Sequence, residues 1–202
     1  MMLGAKAFDP MVPSDFSALR APKIPWLIYI LRNEDIFMIS LHILDVKGFM
    51  SQLLLRDTFD RFYLTEASIT TFGTFYIDGH LQKQYYSQEE LENEEFCHNF
   101  TYWKQVRPFC LELIKGKKTP LHFKIVFQLS SSNTEKLLKQ AGVSLSLSDV
   151  GGLYLNLHYD GHKLNCVTGT SLNIFTMDKS LERSWDEMVG KFFRAKEIPV
   201  EE

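Results

Sequence analysis

The stretch from Gly151 to Thr168 constrains this chain more than any other part of it. Apolar and polar residues alternate on both sides of Asp160-Gly161, and Asp-Gly accepts the positive φ values of a two-residue type I′ turn. That turn pairs Tyr159 with His162, Leu157 with Leu164 and Leu155 with Cys166. Leu153, Leu155, Leu157, Tyr159, Leu164 and Cys166 then share one face, and Tyr154, Asn156, His158, Lys163 and Asn165 share the other. A hairpin this one-sided needs a cover. A helix starting near Asp178 to Ser180 offers one, with Leu181, Trp185, Met188, Val189, Phe192 and Phe193 on a single broad stripe. Glu182, Arg183, Asp186, Glu187, Lys191 and Arg194 face away from it.

The rest of the chain supplies similar pieces. Met38 to Leu44 suits a short strand, and Asp45 is a good N-cap for a helix with Val46, Phe49, Met50, Leu53 and Leu54 in phase. Arg61 to Thr70 is rich in β-formers, Phe72 to Ile77 follows, and Asp78-Gly79 reads as a turn returning a strand over His80 to Tyr86. A helix over Thr101 to Lys115 keeps Trp103, Val106, Cys110, Leu113 and Ile114 in phase; Pro108 implies a kink or a late start. Leu121 to Leu129 alternates as a strand. Ser132-Asn133-Thr134-Glu135 has the form of a capping box opening a helix that ends at Gly142. Leu172 to Met177 reads as one more strand.

In order, residues 38–115 give strand, helix, two or three strands, helix, and residues 121–195 repeat it. The expected fold is therefore α+β: one antiparallel sheet with helices on one face, built from two similar halves. Residues 1–37 stand apart, with four of the seven prolines and no sustained period. Two readings stay open for them: sequence upstream of a native start at Met38, or an N-terminal arm.

Composition narrows the function classes. With 45% hydrophobic residues in 202, one sizeable core is expected. The net charge of −3 makes no case for nucleic acid or an anionic membrane. The acids Glu89, Glu90, Glu92, Glu94 and Glu95 read as a solvated connection. Three scattered cysteines, Cys97, Cys110 and Cys166, fit free thiols in a cytoplasm rather than a disulfide framework. The most apolar run, Ile24 to Leu31, falls short of the roughly 20 residues a spanning helix needs.

The search for chemistry yields two weak groups. Lys104, Arg107, Lys115, Lys117 and Lys118 form the densest basic cluster, an anion contact if they converge, although a helix C-terminus explains three of them. Asp78, His80, Thr170 and Asp178 form an acid–base cluster if the halves are related by a pseudo-twofold; turn and cap roles explain the acids as well. His158, His162 and Cys166 do not make a metal site, because hairpin pairing puts His158 on the opposite face. Gly151-Gly152 precedes a strand, which disqualifies it as a phosphate loop. No cofactor is expected, and the partner left is another protein or a second copy of the chain.

Several runs carry a resemblance: Leu41 to Met50, Thr65 to Phe72, Lys115 to Pro120, Thr168 to Ser171, Met177 to Ser180 and Trp185 to Met188. Together they resemble an uncharacterised domain-of-unknown-function family of clostridial Firmicutes, from about Met38 to the C-terminus. That resemblance implies a bacterial cytoplasmic protein and assigns no site. The repeated element order is also similar, in topology only, to DNA sliding-clamp domains. A clamp's inner helices are rich in Lys and Arg, whereas the first and third helices here offer only Lys47, Arg56, Lys136 and Lys139. The leading expectation is a non-enzymatic binding or interaction protein. A small hydrolase-like enzyme using the hairpin Asp, His and Thr residues is the alternative, and a clamp-like nucleic-acid protein the second.

Overall fold

The structure, a computed structural model, describes residues 38–91 and 98–201. Residues 1–37, with the start-site and arm readings, lie outside the described residues, as do Cys97 and the acids Glu92, Glu94 and Glu95.

Seven strands form one antiparallel sheet: β1 (Ser40–Ile43), β2 (Tyr63–Thr70), β3 (Thr74–Asp78), β4 (His122–Gln128), β5 (Val150–Tyr159), β6 (Leu164–Leu172) and β7 (Val200–Glu201). Their spatial order is β3-β2-β4-β5-β6-β1-β7. Four helices pack on it: α1 (Val46–Leu54), α2 (Trp103–Ile114), α3 (Ser131–Ala141) and α4 (Ser180–Ala195). The fold is α+β, as the alternating patterns required.

Alternation sends Leu64, Ile69, Phe123, Ile125, Phe127, Leu155, Leu157 and Cys166 to one face, where they are closed to water. Each of these four contributes to this core: Phe49 and Leu53 from α1, Trp103 and Cys110 from α2, Leu137 and Leu138 from α3, Trp185 and Phe193 from α4; a further helical turn, Gln88–Leu91, buries nothing. The other face is mostly polar, and no helix of the described residues lies on it. One row crosses all seven strands as Tyr76, Ser68, Lys124, His158, Asn165, His42 and Glu201. One covered and one open face is the ordinary solution for an antiparallel sheet.

The β5–β6 hairpin departs from the two-residue turn. Tyr159 pairs with Leu164, Leu157 with Cys166 and Leu155 with Thr168. The loop is four residues, Asp160 to Lys163, closed by the Asp160 N–H donating to the Lys163 carbonyl. Asp160 Oδ1 accepts from the N–H groups of His162 and Lys163, and Gly161 alone takes a positive φ, +96°. The Asp160 side chain thus organises a longer loop than the Asp-Gly pair implied. A slip of two residues preserves every side chain's face, so the core assignment is unaffected.

Five other expectations are corrected. His80 to Tyr86 is not a strand: His80 makes one bridge to Phe100, and Lys83–Tyr85 is a 3-10 turn. The Thr101 N–H instead donates to Gly79, and the Leu64 N–H donates to Thr101, so residues 99–102 continue the sheet edge where β3 stops. Leu172 to Met177 is not a strand either. Leu172 pairs with Val150, the first residue of β5, and the Leu147–Asp149 turn before it has no ladder to share. The third helix begins at Ser131 with Ser130 as N-cap, so Ser132 lies inside it and the capping box is not used. Glu182 and Asp186, expected to face away, turn inward: Glu182 is buried, with Oε1 3.5 Å from Lys179 Nζ, and Asp186 Oδ1 accepts from the buried Thr168 hydroxyl. At Pro108 the helix runs through without a late start, from Trp103 to Ile114.

The element order strand, helix, strand, strand, helix does recur. The pairing does not follow it: β4 lies between β2 and β5, while β1 sits beyond β6, against its partner half's last strand.

Candidate functional site

The nine residues weighed for chemistry fall at separate places. Asp78 Oδ1 lies 2.6 Å from His80 Nδ1 and accepts the His80 N–H at 3.0 Å. These hydrogen bonds hold the Asp78 carboxyl below its ordinary value. Both side chains are exposed, at the end of edge strand β3. Thr170 is on β6, four strand spacings away, or roughly 19 Å. Asp178 sits in the loop before α4, where Oδ1 accepts the Ser180 N–H. Its carboxyl is held low by Ser180, side chain first and backbone second. Asp78 and His80 are therefore together, whereas Thr170 lies strands away and Asp178 caps the start of α4.

The basic group is likewise dispersed. Arg107 pairs with Asp60 at 3.3 Å and donates to the Arg56 carbonyl, tying α2 to the loop after α1. Asp60 is nonetheless pushed up, because burial outweighs the Arg107 charge. Lys115 pairs with Glu112 along the helix. Lys104, Lys117 and Lys118 are exposed. Cys110 and Cys166 are buried in the core, and burial pushes the Cys110 thiol up to about 12. His158 lies on the open face and Cys166 on the core face, at adjacent strands.

The structure shows a different place that composes a site. A groove of about 570 Å³ opens between α3, α4 and the loop after α1. Beneath it lie apolar residues already closed to water, Leu155 of β5, Leu137 of α3, and Trp185 and Val189 of α4, while Thr58, Asn133 and Gln140 line it with neutral polar groups. Phe192 and Met188, both half-buried, stand at its mouth. Trp185 is fixed there by its Nε1–H donating to the Tyr154 carbonyl at 3.1 Å. The rim is polar. Arg61 comes from the loop, Lys136 from α3 and Lys196 from the end of α4, with Asp57 as the one acid among them. All three cations are exposed, and among the described residues none of them forms an ion pair.

The stripe on α4 explains why the groove exists. Six apolar residues make it wider than the sheet alone can cover, so Met188 and Phe192 stay half-buried at the groove, Phe192 edge-on to Phe59 and Phe62 of the loop after α1. That width was legible in the sequence. The convergence of Arg61, Lys136 and Lys196 was not, because they are far apart in the chain and carry no shared motif. Among the described residues, no cluster of three or more His, Cys, Asp or Glu side chains could hold a metal ion.

Comparison with known proteins adds a family and no activity. No curated protein and no solved structure matches the chain. Residues 52–201 match a family model described as a family of unknown function, DUF5721, from within α1 to β7. The match begins later than Met38, leaving β1 and the first part of α1 ahead of it. Covering most of the length, it shows that the chain belongs to the family of unknown function DUF5721.

Proposed function

We propose that this chain is a non-enzymatic binding protein and that the groove between α3 and α4 is where it binds. The observation that supports this is the groove itself: half-buried Met188 and Phe192 beside convergent polar groups, with a volume of about 570 Å³, inside the range typical of ligand sites. The hydrolase-like reading has less support, since Asp78 with His80 lies strands away from Thr170. The clamp-like reading has less still, since Lys139 is engaged with Glu135 and Arg107 with Asp60. A bacterial, reducing cytoplasm is the setting we infer, supported by the buried free thiols Cys110 and Cys166.

A backbone amide NMR titration of the full chain with a library of small fragments tests this. Shifts gathered at Leu129, Leu137, Leu155, Met188 and Phe192 are expected. Met188→Trp, which fills the mouth, should abolish them. Shifts confined to other surfaces, or none from any fragment, would remove the groove as the site.

A further inference from the structure

We infer that β3 is a dimer edge: two copies of this chain pair β3 with β3, antiparallel about a two-fold axis at Tyr76, so that the sheet runs on from one copy into the other. In the β2–β3 hairpin the Gly79 N–H donates to the Thr65 carbonyl, and the Thr71 N–H donates to the Gly73 carbonyl. The register between those two pairs is unbroken, so the bonding alternates, and Phe75 and Ile77 turn their peptide groups to Ile69 and Ala67. Thr74, Tyr76 and Asp78 therefore turn theirs outward, where no strand of the described residues meets them. The open row ends at His80, whose N–H is taken by Asp78 Oδ1 at 3.0 Å.

An open edge normally carries a guard, such as a lysine, a proline, a bulge or a very short strand. The opposite edge, β7, has two residues and one of them is Glu201. β3 has five, with no lysine, arginine, proline or bulge, and its one charge, Asp78, sits at its end. Apolar surface accompanies it: Tyr76 is 80% exposed and Phe72, edge-on to Phe75, is 96% exposed.

The strand also complements itself. With Tyr76 opposite Tyr76 of the second copy, Thr74 meets Asp78, and all three outward residues of both chains gain hydrogen-bonding partners. A slip of two residues would carry one of the three past the end of the facing strand. In the two-fold register Phe75 lies opposite Ile77 on the core side, where both are half-buried, and each covers the other. The two Asp78 carboxylates lie at opposite ends of the pair instead of facing one another. A head-to-tail contact of β3 with β7 would find only two residues to bond and would build an open filament, whereas the two-fold pair closes. The edge shares no residue with the groove.

Sedimentation velocity of the full chain over a concentration series should show monomer passing into dimer and nothing larger. Tyr76→Lys sets two ammonium groups opposite one another and should leave only monomer. Its circular dichroism should match the parent's, because the Tyr76 side chain is exposed and its peptide groups do not bond β2. The register has its own test in the Cys97→Ser background. Thr74→Cys mixed with Asp78→Cys should oxidise to a cross-linked dimer, since facing residues of a bonded pair lie about 5.5 Å apart at Cα, within disulfide reach. Thr74→Cys alone should not cross-link, since its two copies are offset by four residues, roughly 13 Å along the strand. A parent that stays monomeric up to about 1 mM overturns the dimer. So does a dimer that survives Tyr76→Lys, or cross-linking by Thr74→Cys alone that equals the mixture. If Tyr76→Lys fails to fold, the cysteine mixture decides by itself.

Discussion

The Thr168 hydroxyl donates to Asp186 Oδ1 at 2.6 Å while accepting the Ile39 N–H at 3.1 Å. One buried side chain on β6 thereby ties the closing helix α4 to the segment entering β1. The arrangement has a cost. Burial pushes the Asp186 carboxyl above its ordinary value; the Thr168 bond opposes this, and Glu182 one turn earlier adds to it.

A raised carboxyl means that the folded chain holds its proton more readily than the unfolded chain. Stability is therefore lost as pH rises from the ordinary value of 3.8 through the raised one, and the full penalty applies above it. Asp186→Asn keeps an oxygen to accept from Thr168 and removes the charge. The melting temperature of the variant relative to the parent should increase between about pH 4 and pH 7. A difference that is constant over that span would show that Asp186 does not titrate differently on folding.

Trp185 is fully buried at the centre of the α4 stripe. Trp185→Ala removes its packing and leaves the Tyr154 carbonyl without its donor, so a loss of about 3–5 kcal/mol is expected. Glu187→Ala breaks only an exposed contact with Lys191 and should change stability by about 0.5 kcal/mol or less. Denaturant melts of both variants check the contrast; a Trp185→Ala protein as stable as the parent would place the stripe against solvent.

Gly79 lies against the β2 backbone. A Cβ there would come 1.8 Å from the Leu64 carbonyl oxygen, a contact that only a backbone shift relieves. Gly79→Ala should cost more than about 2 kcal/mol and separate residues 99–102 from the edge of β2. Gly73→Ala, which meets nothing within 4 Å in the β2–β3 connection, is the control and should stay within about 0.5 kcal/mol of the parent. Amide hydrogen exchange at Leu64 and Thr101 would register the local loss.

Cys110 and Cys166 are both buried, and burial pushes both thiols well above their ordinary value. With Cys97 replaced by Ser, the native protein at about pH 8 should react with a thiol reagent only at its global opening rate. Full and rapid reaction should follow denaturation. Prompt labelling of the native Cys97→Ser protein would place one of these thiols at the surface.

The hairpin shows how far local pattern reaches. The alternation from Leu153 to Cys166 assigned each side chain to its face, and those faces are what the structure has. The turn was off by two residues, because Asp160 bonding to two backbone N–H groups stabilises a four-residue loop that the Asp-Gly pair alone does not announce. Exposed Ile174, Phe175 and Met177 read as a strand by composition but pair with no strand of the described residues. Asp178 and Asp78 looked like candidate acids and act instead on the nearest backbone N–H groups.

What the sequence determined by itself is what periods of 2 and 3.6 set: six of the seven strands, the four long helices, their buried stripes and so the α+β class. Those periods reflect geometry within one element, and a few residues suffice to express them. Only the tertiary structure decided the sheet order, with β1 beyond β6, and the groove that Arg61, Lys136 and Lys196 surround. Both depend on contacts between residues far apart in the chain. Many registers and strand orders bury the same alternating faces equally well, and packing of the whole core selects among them.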